Sequence, residues 1–212
     1  MDNLIEFWNS MTGRGQWELF LFILAMFFYI GNMLINKDFT PNPLAFGIWL
    51  IADAVNYVTY VSFSKYWIGP LIMPLGAFTV VLWGTIKMIR AKYKKEVIKK
   101  IKLGWKDWAA VIVSIGSLII YFTTSNGKLS NLMIQLILFM GFVPIVDDLL
   151  KSKRVDEPNF TWFLFCIAWG ITIVDTALGY KSWIEFLYPL INGGGCAVVL
   201  WISLRNKALA RK

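Results

Sequence analysis

The sequence has 212 residues, of which 58% are hydrophobic and only 16% are charged. An ordinary soluble domain carries about 25% charged residues, so the composition excludes that class and predicts a membrane protein. The chain contains no histidine, which removes the commonest zinc ligand and the usual general base. Its two cysteines, Cys166 and Cys196, lie inside apolar runs and are interpreted as small packing residues. We predict no metal site and no cofactor.

Seven apolar runs of about 20 residues follow one another along the chain, and a helix of that length crosses a bilayer. Continuous runs of Leu, Ile, Phe and Val favour helices over the alternating segments of a β-barrel. The predicted fold is therefore an all-α membrane protein with seven transmembrane helices. Their predicted bounds are 17–35, 43–62, 66–87, 105–124, 129–150, 158–179 and 183–205.

The basic residues are distributed unevenly between the two sides of this topology. If the chain changes sides at each span, 17 of the 21 basic residues fall on one side. Because basic residues favour the cytoplasmic side, we expect the amino terminus outside and the carboxyl terminus in the cytoplasm. A bacterial-type inner membrane is the expected location. The net charge of +8 is then explained by topology and by contact with anionic lipids, and nucleic-acid binding is not expected.

The first half of the chain alternates polar connections with apolar spans. Residues 1–16 form a polar external leader that can lie on the membrane as a short interfacial helix. The second span is the most polar of this half and carries Asp53 near its middle. The third span contains Pro74 and is expected to be kinked or broken there. Residues 88–104 are rich in lysine and apolar on one face, so they predict a basic amphipathic cytoplasmic connector that contacts anionic lipids.

Two stretches of the chain resemble each other, which indicates an internal duplication. The elements Trp-Ile, Pro-Leu and Val-Val-Leu-Trp recur in the same order, 116, 115 and 118 residues later. Because three helices per repeat is an odd number, the fourth span is predicted as a linker helix that lets both copies point the same way. The organisation is then a first repeat at 17–87, the linker at 105–124, a second repeat at 129–205 and a basic cytoplasmic tail at 206–212. Parallel repeats of this kind are a known transporter design.

This order of three, one and three helices is similar to the SWEET sugar transporters and to the wider PQ-loop group, which includes vitamin-precursor carriers of the PnuC type. Asn192 and Gly193 resemble the Asn-Gly pair of the seventh SWEET helix. Pro144, followed by Lys151, resembles the PQ-loop signature, although Ile145 stands in place of its glutamine. The resemblance implies that Asn192 contacts the substrate and that Pro144 is a hinge.

Polar residues inside a span are costly in lipid and are functional candidates. At about 1.5 Å per residue, Asp53 and Asn192 both fall near the membrane midplane, where repeat transporters bind their substrates. We expect Asp53 to accept hydrogen bonds from substrate or to couple protons, with a bond to its own helix or to Asn56 as the alternative. For Asn192 the alternative is an interhelical hydrogen bond. The predicted substrate-binding residues are Trp49, Asp53, Asn56, Tyr57, Trp169, Asn192 and Gly193.

Five further residues are assigned to hinges or gates. Pro74 interrupts the third span and can act as a hinge, and the resemblance implies the same role for Pro144. Asp147 and Asp148 lie at the cytoplasmic end of the fifth span, as an inner gate or as an interfacial pair beside basic residues. Asp175 lies near the outer end of the sixth span, as an outer gate or as a solvated cap.

The sequence therefore predicts a transporter of a small polar metabolite, either a facilitator or a proton-coupled carrier, that works by alternating access. Sugars, nucleosides and vitamin precursors are the expected substrates, and homo-oligomerisation is left open. A membrane sensor or assembly factor of the same fold, docking through the basic connector, is the alternative. An enzyme is not expected, because no catalytic constellation can be assembled. A retinal protein is disfavoured because residues 183–204 contain no lysine for a Schiff base.

Overall fold

The structure is a computed structural model that describes residues 2–11, 13–36, 39, 41–61, 72–93, 104–124, 126–152, 156–179 and 183–211. These residues form eight α-helices and contain no β-strand. The helices are α1 (Asp2–Ser10), α2 (Gly13–Ile35), α3 (Pro43–Val61), α4 (Ile72–Tyr93), α5 (Trp105–Thr123), α6 (Gly127–Ser152), α7 (Asn159–Leu178) and α8 (Trp183–Ala210).

Five of the described helices, α2, α5, α6, α7 and α8, are long and apolar enough to cross a membrane. The described parts of α3 and α4 contain the shorter apolar stretches Leu44–Val55 and Leu75–Lys87. Large apolar side chains such as Ile112 and Phe122 of α5 are exposed on the surface of the bundle. Such a surface suits lipid better than water. The structure thus agrees with the all-helical membrane class that the sequence predicts.

Asparagine side chains explain where two of the helices begin. The side chain of Asn42 accepts hydrogen bonds from the backbone N–H groups of Leu44 and Ala45, at 3.1 and 3.3 Å. Helix α3 can therefore start at Pro43, which has no N–H group to satisfy. Asn126 caps α6 in the same way, through the N–H groups of the second and third residues after it.

The helix bounds differ from the predicted ones mainly at α4. The sequence predicts a third span at 66–87, whereas the described part of α4 runs from Ile72 to Tyr93. The predicted kink or break at Pro74 stays a prediction, because the residues directly before Ile72 are not described. Residues 62–71, and residues 94–103 of the predicted connector, lie outside the described part of the chain. Helix α8 continues through most of the predicted tail.

The described helices other than α1 and α5 pack in two groups of three. In the first group α4 packs on α3 and touches α2, and in the second α8 packs on α7 and on α6. The groups meet where α2 packs on α7 and α3 packs on α6. Exchanging the two groups leaves this pattern of helix contacts unchanged. Helix α5 packs mainly on α6.

Polar contacts bring several helix ends together at one end of the bundle. Lys87 Nζ donates to two backbone carbonyls between α2 and α3, at 2.9 and 3.0 Å. Lys207 Nζ donates to the backbone carbonyl of Glu157 between α6 and α7, at 3.0 Å. In each three-helix group, a lysine of the third helix thus bonds to the connection between the first two helices. The Asn42 side chain donates to the Pro144 carbonyl at 3.3 Å and joins the two groups at this end.

Candidate functional site

A cavity of about 60 Å³ lies where the two three-helix groups meet. Six helices contribute to its wall, three from each group, and α5 contributes no residue. Much of the wall belongs to the larger of two buried apolar clusters of the described residues. The lining residues are Met26 on α2, Phe46, Trp49 and Asp53 on α3, Ala77 on α4, Leu138 and Phe142 on α6, Trp162, Phe165 and Trp169 on α7, and Tyr188, Asn192 and Cys196 on α8.

Eight of the lining residues form four pairs whose members lie 116 positions apart in the sequence. The pairs are Met26 with Phe142, Phe46 with Trp162, Trp49 with Phe165, and Asp53 with Trp169. They relate α2 to α6 and α3 to α7, and the same spacing separates the two Trp-Ile elements. Residues 116 positions apart on the two groups therefore border the same space. Only one pair contains an acidic residue: the carboxyl group of Asp53 on α3 is paired with the indole of Trp169 on α7.

Asp53 is the only charged residue among those that line the cavity. The residue is half-buried, and its carboxylate lies close enough to the Tyr188 phenol to interact with it electrostatically. Within the described part of the chain, the Asp53 side chain forms no ion pair and accepts no hydrogen bond. A partly desolvated carboxylate without a partner is costly. Asp53 is therefore available to a group that enters the cavity.

Asn192 contributes an amide on the opposite helix group, with only 7% of the residue exposed. Its Nδ2 donates to the Tyr188 backbone carbonyl, one turn earlier on α8, at 2.8 Å. Because a backbone carbonyl only accepts, the amide nitrogen must face it. The described residues provide no donor to the amide oxygen. The bond formed lies within α8, and the interhelical bond considered as the alternative is not present among the described contacts.

The aromatic wall is held in place by bonds that use its indole N–H groups. Trp49 Nε1 donates to the Leu138 carbonyl across the α3–α6 contact, at 3.0 Å. Trp162 Nε1 donates to a carboxylate oxygen of Glu157, also at 3.0 Å. The Trp49 ring packs edge to face on Phe142 with a centroid distance of 4.8 Å. Ring contacts of this kind stabilise the packing beyond the burial of apolar area, so they hold the wall in this arrangement.

Buried rings close the end of the cavity nearest the start of α3. Tyr29 packs against Phe39, Phe46 and Trp162 with ring centroids 5.4, 5.1 and 6.1 Å apart. All four of these side chains are buried. Two of them also line the cavity. A solute could reach the cavity from this end only if these rings separated.

The predicted substrate-binding residues divide into two sets. Trp49, Asp53, Trp169 and Asn192 line the cavity. Gly193 does not line it, since a Cβ atom there would lie 3.0 Å from the Trp169 Cβ and the glycine supports close packing of α8 on α7. Two further residues complete the predicted set: Tyr57, which is half-buried and does not line the cavity, and Asn56, whose side chain lies outside the described part of the structure.

Asp147, predicted as an inner gate or an interfacial residue, is buried near the end of α6. It forms ion pairs with Lys106 of α5 at 3.0 Å and with Lys151 of its own helix. These partners tie α5 to α6 and do not join the two three-helix groups. Asp148 is half-buried beside it and does not line the cavity.

Asp175 and Pro144 lie at contacts between the two groups. Asp175 Oδ1 accepts from Arg14 Nε at 2.6 Å, which joins α7 to α2 at the end of the bundle opposite to Pro144. Pro144 is buried within α6, and its carbonyl accepts from Asn42 at the start of α3. A gate or a hinge would need such positions, because motion of one group against the other must change these contacts.

Sequence reasoning missed nine of the cavity-lining residues. Most are aromatic or aliphatic and give no polar signal in an apolar span. The repeat could have found one of them, since Phe165 lies 116 positions after Trp49, which the sequence predicts as a binding residue. Cys196, interpreted as a packing residue, is buried and also lines the cavity. The nine are Met26, Phe46, Ala77, Leu138, Phe142, Trp162, Phe165, Tyr188 and Cys196.

No group of three or more potential metal ligands occurs among the described residues. Comparisons of the chain with models of protein families, with curated proteins and with solved structures find no match. The functional argument therefore depends on the cavity and on the sequence motifs.

Proposed function

We propose that the protein is a membrane carrier of a small molecule, built from two parallel three-helix repeats, α2–α4 and α6–α8, with α5 as the linker. The observation that carries the proposal is the central cavity, because eight of its thirteen lining residues form pairs 116 positions apart on the two repeats. Substrate sites of repeat transporters lie at such an interface. The similarity of the helix order, Asn192 and Pro144 to SWEET and PQ-loop transporters supports the same fold and function.

Alternating access would proceed by rocking of the two repeats about the cavity. The contacts that must change are α2 on α7 and α3 on α6, which are the contacts between the repeats. At the end with the amino terminus of α2, the pair of Arg14 and Asp175 crosses this interface. At the other end the rings around Tyr29 cross it. We assign the first end to the outside and the second to the cytoplasm, in keeping with the distribution of basic residues.

The size of the cavity indicates which state of the cycle this conformation represents. Pockets for small-molecule ligands usually enclose about 300–1,000 Å³, and this cavity encloses about 60 Å³. The present conformation is therefore a closed one, in which the walls have contracted around the site. Opening at either end would enlarge it, because the ring cluster and the wall share Phe46 and Trp162.

The experiment is uptake by purified protein in liposomes, measured with sugars, nucleosides, vitamin precursors and small amines. Trp169→Ala and Asn192→Ala are expected to lower uptake at least about tenfold, the effect of losing roughly 1.4 kcal/mol of binding. Trp105→Ala is the matched control, because Trp105 lies on α5 and is 76% exposed. The proposal fails if protein that is folded by its melting curve transports none of these solutes, or if the cavity variants transport as well as the control.

A sensor or assembly factor that binds a ligand without moving it is the second candidate, and the small volume of the cavity favours it. Its predicted docking surface is the basic connector, with Lys94, Lys95, Lys99 and Lys100, outside the described residues. Reversing these four charges should abolish recovery of a partner protein while leaving ligand binding intact. A carrier should lose little uptake from the same change.

A further inference from the structure

The wall of the cavity combines many aromatic rings with a single carboxylate. Seven of its thirteen residues are aromatic, contributed by α3, α6, α7 and α8. Faces of such rings attract cations, more strongly when the site is shielded from water. The aromatic residues are Phe46, Trp49, Phe142, Trp162, Phe165, Trp169 and Tyr188.

The only carboxyl group of the cavity wall has no counter-ion within the described structure. Asp53 is the only charged residue of the wall, and no described lysine or arginine pairs with it. Its charge reaches the Tyr188 phenol, which would donate its hydroxyl proton toward a carboxylate. An anionic ligand would be repelled here, whereas a cation would complete the pair and remove the cost of the buried charge.

Three polar groups of the wall have no described hydrogen-bond partner: the Asp53 carboxyl group, the Asn192 amide oxygen and the Tyr188 hydroxyl. The N–H groups of Trp49 and Trp162 are occupied by Leu138 and Glu157. The amide nitrogen of Asn192 is occupied within its own helix, which leaves the amide oxygen without a described donor. Among these three groups only the Tyr188 hydroxyl can donate, whereas a sugar needs several donors as well as acceptors, because each of its hydroxyl groups does both. An ammonium group only donates, so the available acceptors match it better.

The volume limits the size of the ligand in this conformation. One water needs about 10–15 Å³ of such space, so 60 Å³ holds roughly four to six water-sized groups. That is the size of an ammonium head with a few methyl or methylene carbons. A longer substituent would have to lie along the path that opens in the carrier cycle.

We propose that the cavity binds a small alkylammonium cation, with Asp53 as its counter-ion, the aromatic rings as its cage and the Asn192 oxygen as an additional acceptor. This inference rests on the proposed function, since it names the class of molecule that the carrier would take. A neutral hydroxyl compound held by a protonated Asp53 is the competing occupant.

The test is a binding titration of purified full-length protein with two probes of nearly the same shape, choline and its neutral carbon analogue 3,3-dimethylbutan-1-ol. Intrinsic tryptophan fluorescence reports binding, because three tryptophans line the cavity. Choline should bind at least tenfold more tightly than the neutral analogue. Asp53→Asn should remove this preference, whereas Asp53→Glu, which keeps the charge, should retain it. Glu6→Gln, the same change at an exposed carboxylate of α1, should leave choline binding unaltered.

The inference is overturned if the two probes bind equally, if the neutral one binds more tightly, or if folded Asp53→Asn still prefers choline. Choline binding without flux in liposomes would support the inference and overturn the carrier. Uptake of a neutral solute that depends on Trp169 and Asn192, without choline binding, would support the carrier and overturn the inference. The two proposals can therefore fail separately.

Discussion

Two adjacent glycines of α8 allow a direct test of the packing around the cavity, because one is in close contact with a side chain and the other faces open space. A methyl group on Gly195 would lie 2.5 Å from the ring of Phe142, whereas one on Gly194 would meet no atom within 4 Å. Non-bonded carbons rest about 3.5–4.0 Å apart. Gly195→Ala therefore requires the Phe142 ring to move by about 1–1.5 Å, and the cavity that this ring lines is open space beside it.

The magnitude follows from comparing the two variants with each other. Both gain the same helix propensity, about 0.5–1 kcal/mol, and this contribution cancels in the difference. The remaining strain of overpacking is typically about 1–3 kcal/mol. For a chain of this size each kcal/mol shifts the melting temperature by about 2–4 °C. We therefore expect Gly195→Ala to melt about 2–12 °C below Gly194→Ala.

The assay is thermal unfolding of purified protein in one detergent, followed by tryptophan fluorescence. The Trp49 ring lies 4.8 Å from Phe142, so the emission of folded Gly195→Ala should also differ from that of Gly194→Ala. If the ring moves into the cavity, the affinity for choline should fall as well. Equal melting temperatures and equal emission of the two variants would refute the reasoning, because Phe142 would not then be packed on α8.

Three further substitutions test other contacts. Asn206→Ala removes a buried amide that donates to a backbone carbonyl of α6 at 2.9 Å, and we expect a loss of about 1–3 kcal/mol of stability; an unchanged denaturation midpoint would contradict this. Asp147→Asn breaks the pairs with Lys106 and Lys151, whose side chains are 42% and 60% exposed, so the loss of stability should be about 1 kcal/mol and should shrink in high salt. A loss that does not depend on salt would contradict this and indicate an effect on packing. Arg14→Gln breaks the exposed pair with Asp175, which should cost less than about 1 kcal/mol of stability. The same energy can shift the ratio of the two carrier states by up to about fivefold. Uptake rates identical to those of the parent protein would show that this pair is not a gate.

The helical class could be predicted from composition and run length, because lipid demands long apolar helices whose backbone groups bond internally. The start of α3 at Pro43 could also be predicted from the sequence, since a proline after an asparagine suits the first turn of a helix. The end of α4 could not be predicted in this way. The predicted span ends at residue 87 with its apolar run, but the helix continues to Tyr93, because a helix does not have to end where its apolar run ends.

The polar residues of the candidate site could be predicted from the sequence, whereas most of its aromatic residues could not. Asp53 and Asn192 stand out because polar groups are rare in apolar spans, and both line the cavity. Phe142 and Trp162 do not stand out, since aromatic residues occur along every span and most of them contact lipid or other helices. Which rings meet is decided by the crossing of α2 with α7 and of α3 with α6, a long-range property that local sequence does not encode.

The most direct test of alternating access uses the native Cys196, which lines the cavity. Cys166, the only other cysteine of the chain, is replaced by alanine, and vesicles of either orientation are treated with a membrane-impermeant thiol reagent that carries a trimethylammonium group. We predict that Cys196 reacts from both sides of the membrane, that choline slows both reactions, and that Asp53→Asn removes this protection. Reaction from one side only, or from neither side in protein that remains folded, would contradict a carrier whose central cavity opens in turn to each side.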